Sequence, residues 1–338
     1  MALPEGYAKR GIWRHFLQSA LIAGGLTVLS PSFVHAAQPL PGFGEVKGAY
    51  QPSDGLLLDR HGEPLADVRF DFTSRRADWV PLSALPRTMR DALLVAEDKG
   101  FFEHGGVFWI AVMGAAWQKI WTRTRRGAST LTMQLAGLLD PALRMPSAPG
   151  ARRSVAQKWD QGLAAVELEK RWHKPEIFEA YLNLAPFRGD LQGIGAASEI
   201  LFGQPATSLG YKEACVLAAL LRGPNARPAL VAKRACGLAS RLGQGKLCNE
   251  ISHLALSRLD QPRGARFKLA PHLGHQLVKF AGQRVTTTLD AGLQRKLLGA
   301  LQNSWHNQES AAILLDNSTG DVLAWIGGVA PNVADGVL

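Results

Sequence analysis

The 338-residue chain carries 38 Lys and Arg against 28 Asp and Glu, a formal net charge of +10. At 46% hydrophobic and 20% charged it has the make-up of a folded chain of about two domains, which excludes a disordered one. A single stretch approaches the length of a bilayer span, so a polytopic membrane protein is excluded too. Three cysteines with no paired CxxC spacing exclude a disulfide scaffold and a structural metal site.

At the amino end, Lys9, Arg10 and Arg14 precede an uncharged run from Phe16 to Val34. The following Val34-His35-Ala36-Ala37 has the small-residue spacing of a signal-peptidase site. Gly24-Gly25 and Pro31 weaken the run as a helix, so residues 1–37 read either as a cleaved signal peptide or as a signal-anchor. Both readings export the chain with positive charge left inside. Export makes nucleic acid a poor partner and permits a Cys236–Cys248 disulfide. Cys215, in an apolar helical run, reads as a buried thiol.

Residues 38–85 read as a β-containing connector. A short strand at 55–59 is followed by a turn at Arg60-His61-Gly62-Glu63-Pro64, and Val68 to Phe72 alternates at period two. From Pro86 to Ala235 the pattern turns helical, with Met89, Ala92, Leu93 and Ala96 at i, i+3, i+4 and i+7. Further helices are expected at 107–121, 129–139, 156–172, 175–183, 191–201 and 211–221. Residues 236–285 are polar with Gly and Pro breaks and read as a linker. Residues 311–328 predict two strands joined at Asn317-Ser318-Thr319-Gly320. A hairpin without a partner sheet, so near the last residue, reads as the start of a domain cut short.

Three constellations can carry chemistry. Glu97 stands four residues after Leu93 and eight after Met89, on the apolar stripe of a helix and near its carboxyl end. Apolar surroundings and the negative end of the helix dipole both raise a carboxyl pKa, which suits a general base or acid. The plainer reading is a solvent-facing acid pair, Glu97-Asp98, at a helix end. Next, Gly127-Ala128-Ser129-Thr130 places small and hydroxyl residues at a helix start, either as a simple cap or as an anion site. Basic residues favour the anion. Eight of them (Lys119, Arg123, Arg125, Arg126, Arg144, Arg152, Arg153 and Lys158) stand against one acid, Asp140. A solvated face, anionic lipid headgroups and a phosphorylated substrate all fit that window. The third is the helix 157–172, on which Gln161, Ala165, Leu168 and Trp172 share one face.

The ordered set Glu97-Asp98-x-x-Phe101-x-x-His104-x-Gly106, Gly127-x-Ser129-Thr130-x-Thr132-x-Gln134, Lys158 through Leu168-Glu169, and Lys174-x-x-Ile177-x-Glu179-x-Tyr181-Leu182-Asn183 resembles glycosyltransferase family 51. That family is the peptidoglycan glycosyltransferase module of class A penicillin-binding proteins. Gly193 to Ser198, Glu213 to Leu220 and Val285 to Gln294 continue the likeness, which covers roughly residues 45–330. Met133, Leu139-Asp140-Pro141 and Ala185-Pro186-Phe187 point to the 1C branch.

The resemblance implies a mainly α, lysozyme-like glycosyltransferase domain over 86–235, with the truncated start of an α/β transpeptidase domain over 286–338. It implies polymerisation of lipid II into β-1,4 glycan with inversion and release of undecaprenyl pyrophosphate. Glu97 would be the general base. Asp98, His104, Ser129, Thr130, Gln134, Lys158 and Gln161 would hold the substrate and its pyrophosphate, with Mg2+ or Mn2+ as an optional aid and no protein-held metal. The implied partners are lipid II, the growing glycan, the inner membrane and other cell-wall synthesis proteins, with the catalytic domain on the periplasmic side. Gln157 and Gln161 stand where the family's third motif has Arg and Glu, and Gly137 replaces a frequent basic residue. These departures imply weak or conditional polymerisation and leave two other readings, a lipid II-binding scaffold module and a glycan-cleaving, lysozyme-like enzyme. The transpeptidase motifs Ser-x-x-Lys, Ser-Asp-Asn and Lys-Thr-Gly are absent from these 338 residues.

Overall fold

A computed structural model describes residues 40–106, 129–143, 155–261, 264–304 and 310–329. The export segment expected over 1–37, the helix read at 107–121, and the basic residues from Lys119 to Arg126 and from Arg144 to Arg153 lie outside these ranges. No helix among the described residues is long and apolar enough to cross a membrane.

The described residues are mainly helical, with three small sheets. Helix α1 (Phe43–Ala49) leads into β1 (Asp54–Leu58), which pairs antiparallel with β2 (Pro64–Arg69). The turn between them is held by Asp59, buried, whose Oδ1 accepts the His61 and Glu63 amides at 2.8 Å. Alternation at Val68–Phe72 predicts a longer second strand, but β2 ends at Arg69. Asp71 captures the Thr73 amide and hydroxyl at 2.8 and 2.6 Å, a local turn that competes with the ladder and leaves Phe72 exposed.

The helices α2 (Arg87–Glu97), α3 (Leu131–Leu139), α4 (Val155–Arg171) and α5 (Lys174–Leu184) follow. Strands β3 (Pro186–Arg188) and β4 (Leu191–Gln192) then form a tight pair. The helix expected from residue 191 therefore begins later, as α6 (Ile194–Phe202). The cause is Gly193, at φ +84°, where a Cβ would stand 2.6 Å from the Asn183 carbonyl oxygen. Helices α7 (Tyr211–Leu221), α8 (Pro228–Arg241) and α9 (Cys248–Arg258) complete the larger core. Here α2 packs against α7 and α8, and α3 packs against α4 and α5.

The segment 236–285, expected as a linker, is folded chain. α8 runs through its start, and Ile251, Ala255 and Leu259 enter the same core as α2. The Cys236–Cys248 disulfide ties α8 to α9, and Cys215 is buried. α10 (Pro271–Leu277) packs on β2, and β5 (Arg284–Thr286) adds to β1 in parallel. α11 (Ala291–Ser304) then packs on the hairpin of β6 (Ser310–Leu315) and β7 (Val322–Val329), which turns through Asn317–Gly320 as the sequence reads. Buried Gln294 binds that hairpin, donating to the Trp325 carbonyl at 2.7 Å and accepting the Trp325 amide at 2.8 Å.

A buried charge network knots these parts together. Arg75 contacts Asp54 at 3.3 Å and Asp67 at 2.7 Å, while Arg266 contacts Asp54 at 3.3 Å and Glu199 of α6 at 2.6 Å. Asp67 also accepts the Phe267 amide at 2.6 Å. Removing one partner from such a network strands the others in a dry site. Asp54→Ala is accordingly expected to destabilise the fold by about 3–5 kcal/mol, read by denaturant unfolding.

Candidate active site

α2 follows Pro86 and buries Met89, Ala92 and Leu93, so Glu97 at its last position emerges on the buried side. The Glu97 side chain is only 10% exposed. Its Oε2 accepts from Gln134 Nε2 at 3.1 Å, and Gln134 Oε1 accepts from the Tyr181 hydroxyl at 2.8 Å. The tyrosine fixes the amide so that its donor faces the carboxylate. Glu97 Oε1 is buried and accepts no hydrogen bond, and Arg222 Nε stands 3.6 Å away. Burial pushes the Glu97 carboxyl above its usual 4.5, and Asp98 adds to this. The Gln134 hydrogen bond, Arg222 and Arg234 oppose the shift. Burial likewise raises Tyr181 far above its ordinary value, so it serves as a neutral donor.

Asp98 terminates α2 and binds the start of α3. Its Oδ2 accepts the Leu131 amide at 3.1 Å, and its two oxygens lie 3.1 and 2.9 Å from His104 Nε2. A carboxylate at a free helix amino end is favourable, so Asp98 and His104 together join the carboxyl end of α2 to the amino end of α3. Thr130 caps α3 by accepting the Met133 amide at 3.2 Å, and it donates to the Gly106 carbonyl at 2.7 Å. Gly106, at φ +87°, lies so close to α4 that a Cβ would come within 2.9 Å of the Ala165 carbonyl oxygen. A further buried group sits below. Glu169 accepts from Thr132 Oγ1 at 2.5 Å and from Lys174 at 2.7 Å, and Lys174 lies 4.3 Å from the Phe101 ring centre.

Hydrogen bonds thus gather Glu97, Gln134, Asp98, His104 and Thr130. The expected site residues Ser129, Lys158 and Gln161 are placed differently. The Ser129 Oγ is buried with no hydrogen-bond partner. Lys158 is half-buried on α4. Gln161, also on α4, is fully buried, and neither its Oε1 nor its Nε2 has a hydrogen-bond partner. Glu179 and Asn183, from the fourth motif, act as anchors for the connector. Glu179 accepts from the Trp79 indole at 2.7 Å and the Leu82 amide at 2.8 Å, and Asn183 Oδ1 accepts the Val80 amide at 2.8 Å.

Sequence reasoning missed Arg222 and Arg234, which both act on Glu97 from outside the conspicuous basic window. Their only signal is position, just after an apolar helix and on one face of the next. Among the described residues, no three His, Cys, Asp or Glu side chains gather as a metal site.

Burying a carboxylate has a consequence for stability. A folded-state pKa raised above the unfolded value means that stability falls as pH climbs from about 4.5 through the folded value. Glu97→Gln removes that loss, so its melting temperature relative to wild type is expected to rise with pH above 4.5, as thermal unfolding across a pH series would show.

A family model described as Transglycosylase matches residues 61–242, more than half of the chain. Penicillin-binding protein 1C of Escherichia coli (strain K12) is 36% identical over 98% of this chain. The Biosynthetic peptidoglycan transglycosylase of Aeromonas hydrophila is 35% identical over 44% of this chain and 59% of its own length. Penicillin-binding protein 2D of Bacillus subtilis (strain 168) is 26% identical over 82% of this chain. The chain spans 42% of the length of both penicillin-binding proteins.

Proposed function

The chain belongs to the transglycosylase family, the glycosyltransferase module of class A penicillin-binding proteins, and on that premise we propose that it polymerises lipid II into β-1,4 glycan. The observation that carries this reading is Glu97, a buried carboxylate oriented by Gln134 and Tyr181 with an unbonded oxygen, Oε1. Pyrophosphate is a good leaving group and needs cations rather than an acid, whereas the acceptor hydroxyl is a poor nucleophile and needs a base. In the reaction, the acceptor 4-oxygen attacks the donor anomeric carbon and gives its proton to Glu97. A C–O bond forms on one face as the bond to pyrophosphate breaks on the other, so configuration inverts. Undecaprenyl pyrophosphate departs with the electron pair.

On this reading Ser129, Thr130, Gln134 and Lys158 line the donor side, and Gln161, on the same helix as Lys158, acts from its buried position. Asp98 and His104 support it from behind, by fixing the start of α3 to Glu97. The domain is lysozyme-like, and residues 286–338 begin a transpeptidase domain. Residues 1–37, as a cleaved signal peptide or as a signal-anchor, export the module to the periplasmic side of the inner membrane, beside the growing glycan and other cell-wall proteins.

The reading is tested with labelled lipid II and the full chain in detergent. Glu97→Gln is expected to reduce glycan synthesis by about 10²–10⁴-fold. Because Glu97 must be ionised to act, the wild-type rate should rise with pH through a pKa above 4.5. Unchanged synthesis by Glu97→Gln would refute the base assignment.

One observation favours a slower enzyme, or a scaffold that binds lipid II without extending it. Gln161 replaces a carboxylate of the family motif, and its amide atoms are buried without partners. Gln161→Glu is expected to raise turnover if that missing charge limits the rate. Lipid II binding by wild type with no chain extension would instead support the scaffold.

A further inference from the structure

The basic residues most prominent in the sequence lie between 119 and 158, but among the described residues Glu97 is acted on by Arg222, just after α7, and Arg234 of α8. Arg234 and Arg241 are seven residues apart on α8, nearly two full turns, and so project from one face. Arg241 Nη1 donates to the Val95 carbonyl at 3.1 Å, in the last turn of α2, where carbonyls lack intrahelical partners. Arg234 is part-buried, and its Nη1 is fully enclosed with no hydrogen-bond partner. It lies against Gly223, where a Cβ would stand 3.3 Å from that nitrogen. Gly223 directly follows Arg222, whose Nε is 3.6 Å from Glu97 Oε1. An enclosed guanidinium without its own carboxylate is unfavourable unless a negative charge stands near.

We propose that Arg234 is a positioning residue for Glu97: wedged beneath the Arg222-Gly223 turn, it holds Arg222 against the carboxylate and sets a second positive charge behind it. The proposal rests on the reading of Glu97 as the base. Among the described residues, the groups facing Glu97 are Asp98 next to it at the end of α2, Arg222 just after α7, Arg234 from α8, Gln134 from α3 and, through Gln134, the Tyr181 hydroxyl of α5. Among the described residues these two arginines bring positive charge to Glu97, and both favour the ionised carboxylate, against burial and Asp98. Arg241 completes the arrangement by fastening α8 to the helix that carries Glu97.

The test is kcat/KM against pH for lipid II polymerisation by the full chain, comparing wild type with Arg234→Met, Arg234→Lys and Glu97→Gln. Arg234→Met is expected to move the acidic limb upward by about one pH unit, because an opposing charge no longer favours the carboxylate. Arg234→Lys, which keeps the charge, should leave the limb near the wild-type position. Loss of folded protein lowers the amplitude of the profile without moving the limb, so a purely structural role is distinguishable. Should Arg234→Met fail to fold, Arg234→Gln takes its place with the same displacement expected. A limb unmoved in the charge-free variants, with Glu97→Gln inactive, overturns the role of Arg234 and leaves the base intact. Full activity of Glu97→Gln overturns the base assignment and this proposal with it.

Discussion

The arrangement depends on one unfavourable act, the burial of a carboxylate at the carboxyl end of an apolar helix. Desolvation and the negative end of the dipole both resist a charge at Glu97. Asp98 adds to that resistance, and three other neighbours work against it. Gln134 donates to one oxygen, Tyr181 fixes the glutamine, and Arg222 approaches the other oxygen. Burial gives this carboxylate its high affinity for a proton, while the fixed groups around it keep it oriented and able to ionise, which on the proposed reading is what a base in a preorganised site needs.

The supporting shell has two halves with different logic. On the α3 side, the contacts are neutral hydrogen bonds and a helix cap, built from Thr130, Gln134 and Tyr181. On the α7 and α8 side they are cationic, with Arg222 at the carboxylate and Arg241 at the helix end. Asp98 and His104 tie the α3 side to the carboxyl end of α2, because one carboxylate serves the α3 amino end and the histidine together. Gln161 stands apart from this economy, a fully buried amide with both polar atoms unpaired. Buried amides normally find partners, so its side of the site differs in kind from the Glu97 side.

Much of the helical body was legible because it follows period 3.6. The stripe Met89, Ala92, Leu93 locates α2 and puts Glu97 on its buried side, and the apolar run at 211–221 gives α7 to the residue. Where the sequence misled, local polar chemistry or long-range contact was responsible. Asp71 ended a strand that alternation extends, and Gly193 delayed a helix by three residues. The segment 236–285 looks like a connector because its apolar residues are sparse, yet Ile251, Ala255 and Leu259 suffice to bury one face of α9. In the site, residues within one motif were readable, since spacing carries their geometry. Arg222 and Arg234 were not, because their proximity to Glu97 arises only when α7 and α8 fold back onto α2.

The central claim is that Glu97 is a buried carboxyl whose affinity for a proton exceeds that of an exposed glutamate. The most direct measurement is an infrared titration of the protonated-carboxyl stretch, taken as the difference between wild type and Glu97→Gln. A carbonyl band lost in the variant, and titrating in wild type above 4.5, is the expected result. A wild-type Glu97 already ionised at or below that value would contradict the claim.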